Sequence, residues 1–215
     1  MTGAPPRVWY VAYGSNLASG RFACYLHGGR PAGGRRAYVG CRDPSDPARV
    51  LRLEVPGALV FAGSSGMWGG GTALYAPGTA GRVPCRGYLV TVEQFADVVA
   101  QETRRPPGGD FAVALAEALP HVVTAHVMGP GRYETITGLG IRDGAPLLTV
   151  TTSDVPGLEL AAPTEAYLRW IVAGLREAHG WEPDRIAAYL AAAPGARGAW
   201  APADVLALAV ADVPR

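Results

Sequence analysis

Apolar residues fall in short runs cut by glycine, proline or charge, and the spacing within the runs changes along the chain. Val8 to Tyr13 is a run of aromatic, β-branched and small apolar residues that stops at Gly14, which predicts a buried strand feeding a turn. Beyond the turn, Leu17, Phe22, Cys24, Tyr25 and Leu26 precede Gly28-Gly29, the pattern of a short helix with a glycine stop. Leu51 to Val55, Ala58 to Ala62, Thr72 to Tyr75 and Arg86 to Val92 are further strand candidates separated by proline or glycine clusters. Ser64 to Gly71, dominated by Gly and Ser, predicts a flexible connector. At Thr91 the period changes: Phe95, Val98 and Val99 recur at helical spacing, and the amphipathic helix they define ends at Gln101-Glu102.

Arg104 to Gly131 opens with Arg-Arg-Pro-Pro-Gly-Gly, contains a helix-like stretch from Phe111 to Leu119 and closes on Gly-Pro-Gly, so it predicts a surface excursion. Tyr133 to Ile141 and Leu147 to Thr152 flank Arg142-Asp143-Gly144-Ala145, and Asp-Gly between two β-prone runs predicts a hairpin. From Thr164 onward Tyr167, Leu168, Ile171, Val172 and Leu175 follow a period near 3.6, with Pro163 before and Gly180 after. Pro183 to Ala193 and Pro202 to Ala211 are two more helices, each with proline in its first turn. Strands first and helices last predict an α+β protein, an antiparallel or mixed β-barrel with flanking helices outside it. The chain reads as a single domain over residues 1–215, with an insertion at about 104–131 and a C-terminal helical extension at about 181–215. No internal repeat is visible.

Composition narrows the partners. Apolar residues make up 49% and charged residues 17% of the 215, and the formal net charge is +1, so no strong field exists to draw in nucleic acid or an anionic membrane. The expected partner is a small molecule or another protein. Cys24, Cys41 and Cys85 are odd in number and far apart, which fits free, mostly buried thiols in a reducing compartment. Met1 to Arg7 lacks the pattern of a secretory signal, and no run of about 20 apolar residues occurs, so the expectation is a soluble, cytoplasmic protein. Oligomeric state is not legible.

The residues with chemistry begin at Tyr13-Gly14-Ser15-Asn16-Leu17. Gly14 permits a turn denied to residues with a Cβ, leaving the N–H groups of Ser15, Asn16 and Leu17 aimed into a cavity where they can hold a carboxylate or a developing oxyanion. Read alone, a Gly-Ser-Asn turn is an ordinary helix cap. A strand ending in Tyr-Gly-Ser-Asn-Leu, however, resembles the gamma-glutamylcyclotransferase family. Trp68-Gly69-Gly70-Gly71-Thr72-Ala73 resembles the family's glycine-rich stretch before a central strand. Arg86-Gly87-Tyr88-Leu89-Val90-Thr91, followed by a helix ending in Gln101-Glu102, resembles the strand and helix that lead to its acidic catalyst. Pro163 to Gly174 resembles the family's last helix, so the likeness runs from about Val8 to Gly180.

The resemblance implies a catalytic Glu102 acting as general base, with Tyr13, Gly14, Ser15, Asn16, Leu17 and Tyr133 binding substrate, no metal and no organic cofactor. Away from the resemblance, a glutamate late in a helix is usually a solvated charge, and only the stripe of Phe95, Val98 and Val99 argues that Glu102 turns inward. Glu93, at a helix start, simply favours the helix dipole. Thr152 stands where some relatives carry a second tyrosine, a departure that bears on the substrate. The reaction implied is cyclisation of a gamma-glutamyl amide to 5-oxoproline with release of the amine, an acyl transfer with lyase outcome. The alternatives are a related cyclotransferase that removes a gamma-glutamyl group from a specialised-metabolism intermediate, or a non-catalytic ligand-binding protein of the same fold.

Other chemistries find less support. Ser15 lacks the G-x-S-x-G elbow of a serine hydrolase. A metal amidohydrolase or zinc deacetylase needs clustered ligands, whereas His27, His121, His126 and His179 are scattered. Arg104-Arg105 reads either as an anion contact or as a solvated pair.

Overall fold

The computed structural model describes residues 5–122 and 124–211. Positions 1–4, 123 and 212–215, which belong to the N-terminal stretch, the insertion and the end of the helical extension, lie outside the described residues. Strand β1 (Arg7–Ala12) is the organising element. It runs antiparallel to β5 (Arg82–Thr91) and parallel to β8 (Ala145–Thr151). The sheet is completed by β2 (Arg49–Pro56), β7 (Thr135–Arg142) and β6 (Ala125–Val127) in the order β2-β5-β1-β8-β7-β6.

Both faces of β1 are covered, which is why its sequence is a continuous apolar run rather than an alternation. Side chains point to opposite faces along a strand, so Val8, Tyr10 and Ala12 enter one core and Trp9 and Val11 the other. The first core is closed by α1 (Ser19–His27), α2 (Val92–Glu102) and α3 (Asp110–Ala118), which contribute Phe22, Phe95, Val98, Val99 and Leu115. The second is closed by α4 (Glu165–His179), α5 (Pro183–Ala192) and α6 (Pro202–Val210), which contribute Leu168, Ile171, Ile186, Leu190 and Val205. Phe61 of β3 (Ala58–Ala62) and Tyr75 of β4 (Thr72–Ala76) join the second core.

The α+β architecture expected from the sequence is present, but the sheet stays open instead of closing into a barrel. β3 and β4 pair with each other as a separate hairpin, leaving β2 and β6 as the edges of the six-stranded sheet. Gly57 separates β2 from β3 with φ of 137°, a conformation L side chains rarely adopt, and a Cβ there would lie 2.6 Å from the Tyr75 ring. The chain therefore leaves the sheet at Gly57. The strand after the tryptophan-led glycine stretch, expected to be central, is accordingly β4 of the small hairpin.

Turn chemistry read from the sequence holds. Asp143 and Gly144 both have positive φ, 52° and 76°, the form that matches strand twist in a two-residue hairpin loop, here between β7 and β8. Gly180 closes α4 in the left-handed conformation, φ 62° and ψ 30°. The 104–131 excursion contributes more than surface: α3 buries Ala112 and Leu115 against α2, and β6, three residues without a readable period, adds an edge strand to β7. Ser64 to Gly71, expected to be flexible, folds on itself. Gly69 N donates to Ser65 O at 2.7 Å, Ser65 N to Gly70 O at 2.9 Å, and Met67 and Trp68 are buried. Among the described residues the three cysteines are free thiols, with Cys41 and Cys85 buried and Cys24 half-buried, and no helix is long and apolar enough to cross a membrane.

Candidate active site

The turn between β1 and α1 is gripped from every side. Ser15–Leu17 form one turn of 3-10 helix. Tyr88 O–H donates to Asn16 O at 2.8 Å, and Arg86 Nη1 donates to Leu17 O at 3.1 Å. From behind, α4 lies so close that a Cβ on Gly174 would meet Ala18 N at 2.5 Å and overlap Leu17. A mid-helix glycine normally weakens a helix, and here it is the one residue that lets helix and loop touch. Gly14 is required for a related reason. Its φ is −111°, so left-handed geometry is not what demands glycine. A Cβ there would sit 3.0 Å from Ala73 Cβ and 3.1 Å from the Tyr167 hydroxyl oxygen.

Two of the three amides expected to face a cavity belong to residues that line one. Ser15 N–H and Asn16 N–H, at the open end of the 3-10 turn, have no hydrogen-bond acceptor among the described residues. Leu17 departs from expectation: its N–H closes the turn on Gly14 O at 3.0 Å, and its side chain is fully buried in the core against α4. Closing a 3-10 turn uses the third amide, so Leu17 holds the loop and its N–H is not free for a ligand.

Glu102 reaches the same place from the far end of α2. The helix starts with a reciprocal cap, Gln94 N donating to Thr91 Oγ1 at 3.1 Å and Thr91 N to Gln94 Oε1 at 3.0 Å. Asp97 and Gln101, one turn apart, tie its flank to the 40–42 segment. Arg42 N donates to Asp97 Oδ2 at 3.0 Å, and Gly40 N donates to Gln101 Oε1 at 3.1 Å. Gln101 Nε2 also donates to Tyr25 O at 3.1 Å, fixing the last turn against α1. Glu102, three and four residues after Val99 and Val98, shares their inward face. There its Oε1 accepts from Asn16 Nδ2 at 3.4 Å, and Asn16 Nδ2 also donates to the Tyr10 hydroxyl at 2.9 Å. Asn16 Oδ1 is buried with no partner.

Loop and acid border a two-part hollow. A tight recess of about 30 Å³ lies against Tyr13, Gly14, Ser15 and Asn16, and a larger cavity of about 270 Å³ continues outward past Trp68, Thr72 and Gln101. Ser15, Glu102, Tyr133 and Tyr167 border both parts. Tyr13 O–H donates to Val150 O at 2.7 Å, so its ring walls the recess while its hydroxyl is occupied. Tyr133 was expected at the start of a strand. It sits instead in the turn before β7 with φ of 62°, costly for an aromatic residue, and donates to Ala73 O at 2.9 Å. The turn is held by Glu134, which accepts from Gly131 N at 2.8 Å and pairs with Arg105 at 2.6 Å.

Sequence reasoning missed two residues. Tyr167 was read only as a core position of α4, yet its hydroxyl accepts from Ala73 N at 3.1 Å between recess and cavity. Burial, opposed by the hydrogen bond from Ala73, pushes its hydroxyl up to about 12, so it stays protonated at neutral pH and can donate in turn. Arg21 was not singled out at all. It is 2% exposed, borders the outer cavity, and donates from Nη2 to the hydroxyls of Tyr25 at 3.0 Å and Tyr38 at 2.8 Å, while Nε and Nη1 have no partner. Burial disfavours its charge, but the phenolic oxygens of Tyr25 and Tyr38 and the nearby Glu102 more than offset this and raise its pKa, so it remains a cation. Its signal was present as the one cation in the apolar stripe of α1. Arg104, read either as an anion contact or as half of a solvated pair, borders the cavity from a backbone with φ of 63°.

Thr152 is buried outside the lining of both hollows. His27 pairs with exposed Asp46 at 3.1 Å, and His179 lies 3.0 Å from Cys85 O. Among the described residues no group of three or more His, Cys, Asp or Glu side chains is placed to hold a metal ion.

Similarity to known proteins is limited in depth. No family model matches the chain. Histone deacetylase 5 of Arabidopsis thaliana is 29% identical over 202 residues, covering 85% of this chain. The chain spans about 30% of the length of that curated relative. Among solved structures, an uncharacterized human protein superimposes with a TM-score of 0.49 at 18% identity, covering 94% of this chain and 98% of that one. A gamma-glutamyl cyclotransferase does so with a TM-score of 0.47 at 16% identity and the same coverages, 94% and 98%.

Proposed function

We propose that this chain is a gamma-glutamylcyclotransferase-like enzyme that cyclises a gamma-glutamyl amide to 5-oxoproline and releases the amine. The observation that carries this reading is the meeting of one carboxylate, Glu102, with the free amides of Ser15 and Asn16 at a single hollow. The reaction needs a group to take a proton from the substrate's α-amine and a site for the negative charge that develops on the γ-carbonyl oxygen.

The glutamyl part lies across the recess and the adjoining end of the cavity. Its α-amine is placed between Glu102 and Asn16 Oδ1, the acceptor otherwise left without a donor. Glu102 removes a proton as the amine nitrogen attacks the γ-carbonyl carbon, forming the new C–N bond of a five-membered ring. The oxyanion so formed accepts from Ser15 N–H and Asn16 N–H, contacts worth about 3 to 4 kcal/mol each in other enzymes. Collapse of the tetrahedral intermediate breaks the original C–N bond, and Glu102 returns its proton to the departing amine. Nucleophile and electrophile belong to one molecule, so the site has only to fold them together.

Tyr133 and Tyr167 wall the passage between the two hollows and help select the bent conformer. The deacetylase activity named for the plant relative supplies no second reading, since the chain spans only about 30% of that protein. The test is a mass-spectrometric screen of gamma-glutamyl amines for 5-oxoproline, run with the wild type and with Glu102→Gln. Release by the wild type alone supports the assignment; absence of 5-oxoproline from every amide, or equal release by both proteins, removes it.

A further inference from the structure

We propose that the outer cavity receives a leaving amine carrying at least two negative charges, a dicarboxylic or a phosphorylated amine, with Arg21 as its innermost anion contact. The proposal deepens the cyclotransferase reading and rests on it for the identity of the ligand's other half.

Arg21 is the foundation. A guanidinium removed from water is costly unless its charge and its N–H groups are matched. This one has Tyr25, Tyr38 and Trp68 around it, with ring centroids 4.5, 4.7 and 5.7 Å from its central carbon, and two neutral phenols on Nη2. Aromatic faces stabilise a cation but do not neutralise it. Nε and Nη1 have no acceptor, and no carboxylate lies within ion-pair distance of the side chain among the described residues. Glu102 lies near enough to support its charge but not to pair with it, so two of its nitrogens are open to an acceptor.

Three more arginines surround the same hollow. Arg132 is held by neutral acceptors, Ala62 O and Thr72 Oγ1 at 3.4 Å each and Ser64 O, so its charge is unopposed. Arg104 is delivered from a strained backbone, its Nη2 only 2.7 Å from where a Cβ on Gly66 would stand. Arg36 stands on the exposed rim. Against these four cations the cavity has two carboxylates. Glu134 is already matched by Arg105 at 2.6 Å, and Glu102 is reserved for the proton transfer. Even with Glu102 opposing one of these charges and the glutamyl α-carboxylate a second, a neutral amine would leave two cations unmatched, and an amine with one carboxylate would leave one. A second charge matches the arginines further out, and Arg36 and Arg104 continue into an adjoining groove of about 570 Å³ with room for a larger group.

The experiment compares kcat/KM within pairs that differ in the second charge: gamma-glutamylaspartate against gamma-glutamylasparagine, and gamma-glutamyl-O-phosphoserine against gamma-glutamylserine. A charged hydrogen bond of this kind predicts a preference of roughly tenfold or more for the more anionic member. Whether the aspartate or the phosphoserine pair shows the larger ratio distinguishes a carboxylate from a phosphate source. Arg21→Gln and, independently, the exposed Arg104→Gln are each expected to reduce that ratio several-fold. Ratios near one in the wild type, or ratios unchanged in both variants, overturn the proposal. Should no gamma-glutamyl amide be turned over, titration of the wild type and Arg21→Gln with inorganic phosphate, read by calorimetry, separates the two ideas. Phosphate binding lost in the variant keeps the anion receptor while the cyclotransferase reading falls; no binding to the wild type ends both.

Discussion

The two halves of the hollow are built on opposite plans. The inner recess is made of backbone amides, tyrosine rings and one carboxylate, each fixed by named hydrogen bonds, in a volume of about 30 Å³. The outer cavity, near 270 Å³, is bordered by four arginines, two of which, Arg21 and Arg132, are bound only to neutral acceptors. Short rigid groups impose one geometry on a reacting centre, whereas guanidinium groups read charge and accommodate shape. The contrast suits the proposed division of labour, with chemistry in the first and choice of leaving group in the second.

The sharpest way to break that division is at Glu102. Glu102→Gln keeps the shape and the hydrogen bond from Asn16 but removes the proton acceptor, so kcat should fall by roughly 10² to 10⁴ with every amine. Circular dichroism and thermal unfolding should stay at wild-type values. A loss confined to some leaving groups would move Glu102 from chemistry to recognition.

Next in size is the packing behind the loop. A Cβ on Gly174 would press on Ala18 N and Leu17, and neither a helix core nor a closed 3-10 turn yields easily. Gly174→Ala is therefore expected to cost about 1–3 kcal/mol of stability in a denaturant titration. It should also lower kcat/KM alike for neutral and anionic amines, because it displaces the amides and not the arginines. Unchanged stability would show that α4 does not hold the loop.

A comparable effect on stability is expected at the passage between the hollows. Tyr167→Phe leaves Ala73 N–H without its acceptor, a loss of about 1–3 kcal/mol. Tyr133→Phe frees a carbonyl, an acceptor with a second lone pair, and should cost less. Stability and kcat measured for the two variants side by side check this ranking, and a larger loss at Tyr133 would reverse it.

How far each half was legible from the sequence follows the same contrast. The inner recess rests on local patterns: a strand that ends at Gly14, and a helix whose stripe through Phe95, Val98 and Val99 turns Glu102 inward. Such periodicities survive in one dimension. Leu17 was misread because which amide closes a 3-10 turn is decided by backbone geometry rather than residue type. The outer cavity is assembled from segments around 21, 36, 68, 104 and 132, brought together only by the tertiary fold. No spacing in the sequence signals that Arg21 is buried without an anion, or that Arg104 leaves its partner Arg105 to pair with Glu134. The open sheet was missed likewise, since the separate pairing of β3 with β4 is settled by tertiary packing rather than by any local pattern.

The smallest expected effect bears on the charge balance between the halves. Arg105's hydrogen bond holds the Glu134 carboxyl below the usual glutamate range, against the opposing effect of burial and with help from Gly131 N–H. A carboxyl depressed in the folded state stabilises the protein above its unfolded pKa, about 4.3, and that contribution is lost as pH falls through the lower folded value. The difference in stability between wild type and Glu134→Gln should thus be constant from pH 7 to 5 and shrink below about pH 4. Because the pair is partly exposed, it should amount to no more than about 1 kcal/mol. The same substitution releases Arg105 next to a cavity already rich in arginine. Its kcat/KM for a dianionic amine should therefore rise modestly, by a factor that added salt removes, while that for a neutral amine stays level or falls. An equal change for both amines would mean that Glu134 acts only through the turn carrying Tyr133, and that the outer cavity does not select by charge.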